Sequence, residues 1–189
     1  MVDPILMTRE LVEQAMQGDR DAFATLVGRS LRRLVGTAGL ILQDPAGADD
    51  ATQEALIRAW RDLPKLRDPD RFDRWLYRLL VRACHDQRRR SRNELPIDLV
   101  FADRGPWQPD AASRVADRDE LDRGFAHLSD EHRLVVVLRY YAGFSDAEVA
   151  RVAALPIGTV KSRLSRALDL LRAGMAADAR AALVEERQA

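Results

Sequence analysis

The chain has 189 residues, of which 47% are hydrophobic and 32% charged, enough for one ordinary domain or two small ones with a large solvated or partner-facing surface. No run approaches the roughly 18 apolar residues that a membrane span needs. The opening MVDPILMTRELVEQ carries acids where a signal peptide needs basic charge, so a cytoplasmic protein with no membrane insertion is expected. One cysteine, Cys84, allows no internal disulfide, and three scattered histidines give no zinc-ligand spacing, so no metal or other cofactor is expected.

Formal charge is zero, with 30 basic and 30 acidic side chains, but it cancels between blocks. Residues 1–60 hold 6 basic and 9 acidic side chains, and 61–93 hold 11 and 5. Residues 94–131 hold 4 and 10, 132–175 hold 7 and 3, and the tail holds 2 and 3. Two basic blocks separated by an acidic one suggest two phosphate-facing surfaces joined by a segment that avoids DNA.

Apolar positions recur at three- and four-residue spacing without a convincing alternating strand, so the fold is expected to be all-α. TRELVEQAMQ (8–17), DAFATLVGRSLRRLVGTAGLIL (21–42), ADDATQEALIRAWRDL (48–63) and DRFDRWLYRLLVRACHDQRRR (70–90) are the predicted helices of a first domain, 8–92. Asp44-Pro45 and the Pro64 to Pro69 stretch separate them. Residues 93–116 contain three prolines and a negative balance, which predicts an acidic linker. A second helical domain is expected over 117–175, and the tail 176–189 either extends the last helix or frays.

In the third helix, Asp50, Gln53, Glu54 and Ile57 share one face, with Leu56 and Trp60 directed inward. An acidic first turn on an ordinary helix explains the same spacing, since carboxylates offset the positive end of the helix dipole. The fourth helix places Phe72, Trp75, Leu76, Leu79, Leu80 and Ala83 on its apolar stripe, beside Arg74, Arg78, Arg82, Arg88, Arg89 and Arg90. Aromatics among arginines suit single-stranded DNA, whose unstacked bases pack on rings while guanidinium groups follow phosphates. A stripe at helical spacing is, however, first of all a core. Cys84 reads as a small core residue, and adjacent His85 points to another face.

The stretch FSDAEVARVAALPIGTVKSRLSRALDLL divides into two helices around a tight turn. Ser145 and Glu148 stand three apart as a capping box. Val149, Val152 and Ala153 form a buried stripe, and small Ala150 permits close approach of a neighbour. Pro156 and Gly158 make the turn, with Thr159 expected as the next N-cap. Val160, Leu164, Leu168 and Leu171 then face inward, which leaves Lys161, Ser162, Ser165 and Arg166 outward and Arg163 on the flank. A helix-turn-helix inserts the start of its second helix into the DNA major groove, where Arg and Lys reach guanine edges and Ser takes either role. A solvated basic helix is the plainer reading, but the capping box, turn and basic start agree on the first.

GTVKSRL followed by RAL, preceded by HLSDEHRLVVVLRYYAGFSDAEVA, resembles the minus-thirty-five reading domain of bacterial sigma factors of the extracytoplasmic-function (ECF) group. Response-regulator output domains carry a similar GTVK turn, so the first region decides between them. ADDATQEALIRAW resembles the family's conserved region two. The resemblance implies that Asp50, Gln53, Glu54 and Ile57 grip the clamp helices of the largest subunit of core RNA polymerase. FDRWLYRL resembles the promoter-melting and minus-ten segment, and LPKLRDPDR corresponds to the loop that captures a flipped base. Minus-ten contacts are thereby implied for Lys65, Arg67, Arg71, Arg74, Trp75, Arg78 and Arg82, and minus-thirty-five contacts for Thr159, Lys161, Ser162, Arg163, Ser165 and Arg166.

The resemblance covers about residues 19–92 and 117–173. It departs at Arg82, where relatives often carry Asn, at the Cys-His-Asp that follows shortly after, and at Ala154-Leu155 in place of a more usual Leu-Gly. It implies promoter DNA, the clamp helices and the flap of the second-largest polymerase subunit as partners, with an anti-sigma factor as regulator. The chain ends about 14 residues after its last recognisable helix, which favours an external regulator over a built-in domain. In the family the linker threads near the active-site channel, where Asp98 and Asp103 would mimic nucleic-acid charge; the run Glu94, Asp98, Asp103 and Asp110 reads equally as a soluble tether.

The expectation is thus a promoter-specificity subunit with no catalytic chemistry. A stand-alone helix-turn-helix regulator is the alternative, but it leaves the Asp50 to Trp60 helix and the aromatic-arginine segment without a task. A magnesium nuclease built from Asp49, Asp50, Glu54, His85 and Asp86 is weaker still, because the helix dipole already explains the acids. A pure interaction protein would not use the Lys161 to Arg166 surface.

Overall fold

A computed structural model describes residues 4–94, 124–125 and 127–186. The chain divides into two compact units, Met1–Asp103 and Arg104–Ala189, and no strand occurs among the described residues.

The first unit is built from α1 (Pro4–Met16), α2 (Arg20–Leu42), α3 (Pro45–Asp62) and α4 (Phe72–Glu94), with short 3-10 turns at Leu63–Lys65 and Pro69–Arg71 between α3 and α4. Asp19 starts α2 by accepting hydrogen bonds from the backbone N–H groups of Asp21 and Ala22. Gln43 ends α2 in the left-handed conformation, its N–H returned to Gly39 O at 2.7 Å. Pro45 opens α3 where a missing N–H costs nothing, three residues earlier than the apolar pattern suggested. α1 likewise starts before residue 8, and α4 runs on through Glu94, so the first two positions of the expected linker are helical. The rest of that linker lies outside the described residues.

The core of this unit is closed by leucines of three elements, α2, the first 3-10 turn and α4. Leu34, Leu63, Leu76 and Leu80 retain almost no exposed surface, and burial of each such side chain contributes about 1.5–3 kcal/mol. α3 meets its neighbours through small residues, since Ala48, Ala51, Ala55 and Ala59 are all buried. Leu56 and Trp60, expected inward, are instead only half-buried. The alanines occupy the packed face and allow close helix approach, which rotates the larger side chains to its edge.

The second unit contains α5 (Asp130–Val136), continued by a π-helical turn Val137–Tyr141, then α6 (Asp146–Ala153) and α7 (Ile157–Glu186). Ala142 N bonds Val137 O at 2.9 Å, the five-residue reach that defines the π turn. Arg133 is 5% exposed and anchors the preceding turn through Nη2, which donates to Phe125 O (3.2 Å) and Leu128 O (2.8 Å). Arg139 joins the π turn to α6, donating from Nη1 to Phe144 O (3.1 Å) and pairing through Nε with Asp146 (3.0 Å).

Glu148 Oε2 accepts from both the N–H (2.9 Å) and the hydroxyl (2.8 Å) of Ser145, so the expected capping box is formed. Val149 and Val152 are buried, whereas Ala153 is half-buried. Ala154 ends α6 at φ 55°, ψ 43°, its N–H bonded to Ala150 O. One expectation is corrected here: Thr159 is not an N-cap. α7 begins at Ile157 directly after Pro156, and Thr159 stands in its first turn. α7 then runs through Glu186, so the tail extends the last helix.

Candidate nucleic-acid interface

The turn from α6 to α7 fixes which side of α7 is solvated. Val160, Leu164 and Ala167 are buried, and Leu168 and Leu171 half-buried, which puts the packed face where the leucine spacing predicted it, with Ala167 added. Lys161, Ser162, Ser165 and Arg166 are exposed on the opposite side. Thr159 is half-buried, and Ser162 Oγ donates to Thr159 O at 3.0 Å. The start of α7 therefore presents two cations and two hydroxyls together, beside the unpaired N–H groups of a helix N-terminus.

Arg163 departs from this set. Its Nη2 lies 2.7 Å from Glu131 Oε2, with its side chain 22% exposed against 68% for the acid. The guanidinium is therefore drawn back against the first turn of α5.

In the first unit the expected minus-ten residues fall into two groups. Lys65, Arg67 and Arg71 are exposed around the 3-10 turns. Lys65 Nζ is 3.1 Å from Asp62, and Arg71 Nε 2.8 Å from Asp68. Arg61 and Lys65 together hold the Asp62 carboxyl down at about 2, so this pairing is present throughout the neutral range. Asp68 also caps the second turn by accepting from Asp70 N. On α4, Arg78 and Arg82 are exposed one turn apart, while Arg74 and Trp75 are half-buried. Trp75 leans on buried Phe72, with ring centroids 6.0 Å apart. The stripe thus divides as the helix rule implies: Phe72, Leu76, Leu79, Leu80 and Ala83 are core, and Trp75 is the member that retains an open surface. Cys84 is buried, and His85 is exposed on another face.

Asp50, Gln53 and Ile57 are exposed on α3, and Ile57 is a large apolar side chain left 54% open. Glu54 is half-buried because Arg58 Nε takes it at 2.7 Å, while Arg58 Nη1 reaches Asp86 on α4 at 3.0 Å. Beside them lies a groove of about 480 Å³ lined by Phe23, Leu31, Val35, Asp49, Thr52, Gln53, Leu56, Ile57 and Trp60. Phe23 and Trp60 close one end with ring centroids 5.0 Å apart. Phe23, Leu31 and Val35 escaped the sequence reading. The signal was present in exposed Leu31 spaced four from Val35, but only the packing of α2 on α3 brings them to the Ile57 face. No cluster of His, Cys, Asp or Glu suited to a metal occurs among the described residues, and no helix among them is long and apolar enough to cross a membrane.

Two helical units, one of them carrying a helix-turn-helix with a cationic start, define a DNA-binding protein of transcription. Sigma-70 region 2 matches residues 26–94, and Sigma-70 region 4 matches 124–173. The RNA polymerase sigma-H factor of Pseudomonas aeruginosa is 30% identical over 175 residues, covering 86% of this chain and 91% of that protein. The ECF RNA polymerase sigma factor SigM of Mycobacterium tuberculosis is 34% identical over 160 residues, covering 84% and 79%. Among solved structures, CnrH in complex with the cytosolic domain of CnrY aligns with a TM-score of 0.69 and 28% identity, covering 91% of this chain and 99% of that one. The sigma factor RpoE of Bartonella quintana, solved with the anti-sigma factor NepR, aligns at 0.71 and 26%, covering 82% and 98%. The chain belongs to the ECF sigma factors, alternative sigma factors that direct promoter-specific transcription initiation.

Proposed function

We propose that this sigma factor divides its work between the two units, without catalytic chemistry of its own. The first domain (8–92) docks on core RNA polymerase through Asp50, Gln53, Glu54 and Ile57, where an exposed isoleucine beside an apolar groove suits the ridge of a partner helix. The clamp helices of the largest subunit are that partner. Lys65, Arg67, Arg71, Arg74, Trp75, Arg78 and Arg82 then hold the melted minus-ten strand, cations on phosphates and Trp75 against a base. Lys65 and Arg71 exchange Asp62 and Asp68 for phosphate, which exposed ion pairs do at small cost.

The second domain (117–175) reads the minus-thirty-five duplex with Thr159, Lys161, Ser162, Ser165 and Arg166, and rests against the flap of the second-largest subunit. Arg163 contributes from the flank. Residues 93–116 are the linker and 176–189 the tail. An anti-sigma factor is the expected regulator, supported by structural relatives solved with CnrY and NepR. The cytoplasm, where polymerase and promoter meet, is the place of action.

The observation that carries this reading is the exposed Lys161, Ser162, Ser165 and Arg166 cluster at the start of α7, in a chain that also presents the α3 face. Reconstitution with core enzyme on genomic promoter fragments tests it. Transcription from particular promoters, dependent on the added chain, is the expected result. Tight duplex binding by the chain alone, with no association with core, would point to a stand-alone regulator instead.

A further inference from the structure

α1 lies ahead of the part of the chain that the region-two family matches, which begins at residue 26. It is nevertheless packed against α2 and against both 3-10 turns of the loop that joins α3 to α4. Val12 and Ala15 are its buried side, so the helix is seated on the unit rather than projecting from it.

Arg9 stands on the exposed side and reaches across 61 positions of sequence, its Nη1 donating to Asp70 Oδ2 at 2.8 Å. Glu13, one turn on, takes Nε at 2.9 Å and fixes the guanidinium in that direction. Asp70 is the middle residue of the second 3-10 turn. Its own N–H donates to Asp68 Oδ1 at 3.2 Å, and Asp68 Oδ2 is 2.8 Å from Arg71 Nε. A continuous polar chain thus runs from Glu13 through Arg9, Asp70 and Asp68 to Arg71.

Two isolated 3-10 turns have poor internal hydrogen bonding and little stiffness of their own. A loop that receives an unstacked base must be held in shape beforehand, because ordering it at the moment of binding subtracts from the affinity. We propose that α1 braces this loop and that Arg9, acting through Asp70, is a positioning residue for base discrimination at the minus-ten element. The inference rests on the reading that residues 63–71 meet the melted strand.

The test uses holoenzyme reconstituted with core polymerase and compares open-complex formation on two promoters that differ by one minus-ten base. Arg9→Gln is expected to lower the preference ratio about two- to five-fold, the range an exposed ion pair supports, with core affinity and melting temperature unchanged. Asp70→Asn should do the same, the double variant should lose no more than either single, and Arg9→Lys should restore most of the ratio. An unchanged ratio for Arg9→Gln, or equal loss on both promoters together with a lower melting temperature, overturns the brace. Arg67→Ala separates the two ideas. If it alters the ratio while Arg9→Gln does not, the brace alone fails; if neither alters it, the loop does not meet the strand and both fail.

Discussion

Glu131 and Arg163 close to 2.7 Å, so the recognition helix is tied by one of its own cations to the first turn of α5. Under the proposed reading of the minus-thirty-five duplex, this pairing lets Arg163 act from the flank and set the angle at which Lys161, Ser162 and Arg166 are presented. Glu131→Ala and Arg163→Ala should each weaken binding of a minus-thirty-five duplex. The double variant should fall short of their sum by about 0.2–1 kcal/mol, the coupling of a partly exposed pair. Fluorescence anisotropy on the labelled duplex measures all four. A gain in affinity from Glu131→Ala would mean that the acid withholds Arg163 from DNA.

Lys161 and Arg166 are exposed on α7 and carry the opposite expectation. Removing one cation that neutralises a phosphate reduces the slope of log affinity against log salt by about 0.9. Lys161→Gln should therefore flatten the salt dependence, and reversal of both charges should abolish promoter-dependent transcription while core association persists. An unaltered salt slope in Lys161→Gln would place that ammonium off the phosphate backbone.

Ile57 leaves 54% of its surface open at the edge of the α2–α3 groove. Replacement by Asn costs the fold little, because the side chain is not part of the core. Truncating an apolar anchor of a docked interface costs about 1–2 kcal/mol. Core affinity should fall accordingly in a pull-down titration while the melting temperature holds, and a drop in both would mark Ile57 as structural.

Helical class, the capping box and the packed face of α7 were legible because each rests on spacing within one element. Ser145 and Glu148 are three apart, and Val160 and Leu164 repeat at the helix period. What could not be read depends on packing between elements. Leu56 and Trp60 follow the apolar rule yet sit at an edge, because Ala48, Ala51, Ala55 and Ala59 let α3 approach its neighbours on a different side. The pairing of Arg163 with Glu131 does not show in the spacing of α7, and Arg9 has no visible task until Asp70 is found beside it. Thr159 has the chemistry of an N-cap, but Pro156 holds that place, its carbonyl accepting from Val160 N at 3.1 Å as the helix starts at Ile157.

Ala154 holds φ 55° at the end of α6, where the family more often has another residue pair and where an L side chain crowds its own carbonyl. Glycine removes that strain but adds freedom to the unfolded chain, and the two effects oppose each other. The strain is the larger, so Ala154→Gly should stabilise the second unit by up to about 1 kcal/mol, with unchanged duplex binding. Thermal unfolding checks this, and a lowered midpoint would show the turn to be relaxed as it stands.

Cys84 is 2% exposed on α4, and burial pushes its thiol up to about 12 from 9.0, the nearby Arg88 charge offsetting this only in part. The folded chain therefore keeps the proton at a pH where the unfolded chain has released it. Stability from this group is fully present below about 9 and is lost as pH rises toward 12. Cys84→Ala removes the dependence, so the urea midpoints of the two proteins should lie furthest apart near neutrality and converge in the alkaline range. The same burial predicts that iodoacetamide labels the native thiol far more slowly than the thiol in urea. Equal labelling rates would mean that α4 opens around Cys84 on the timescale of the reagent.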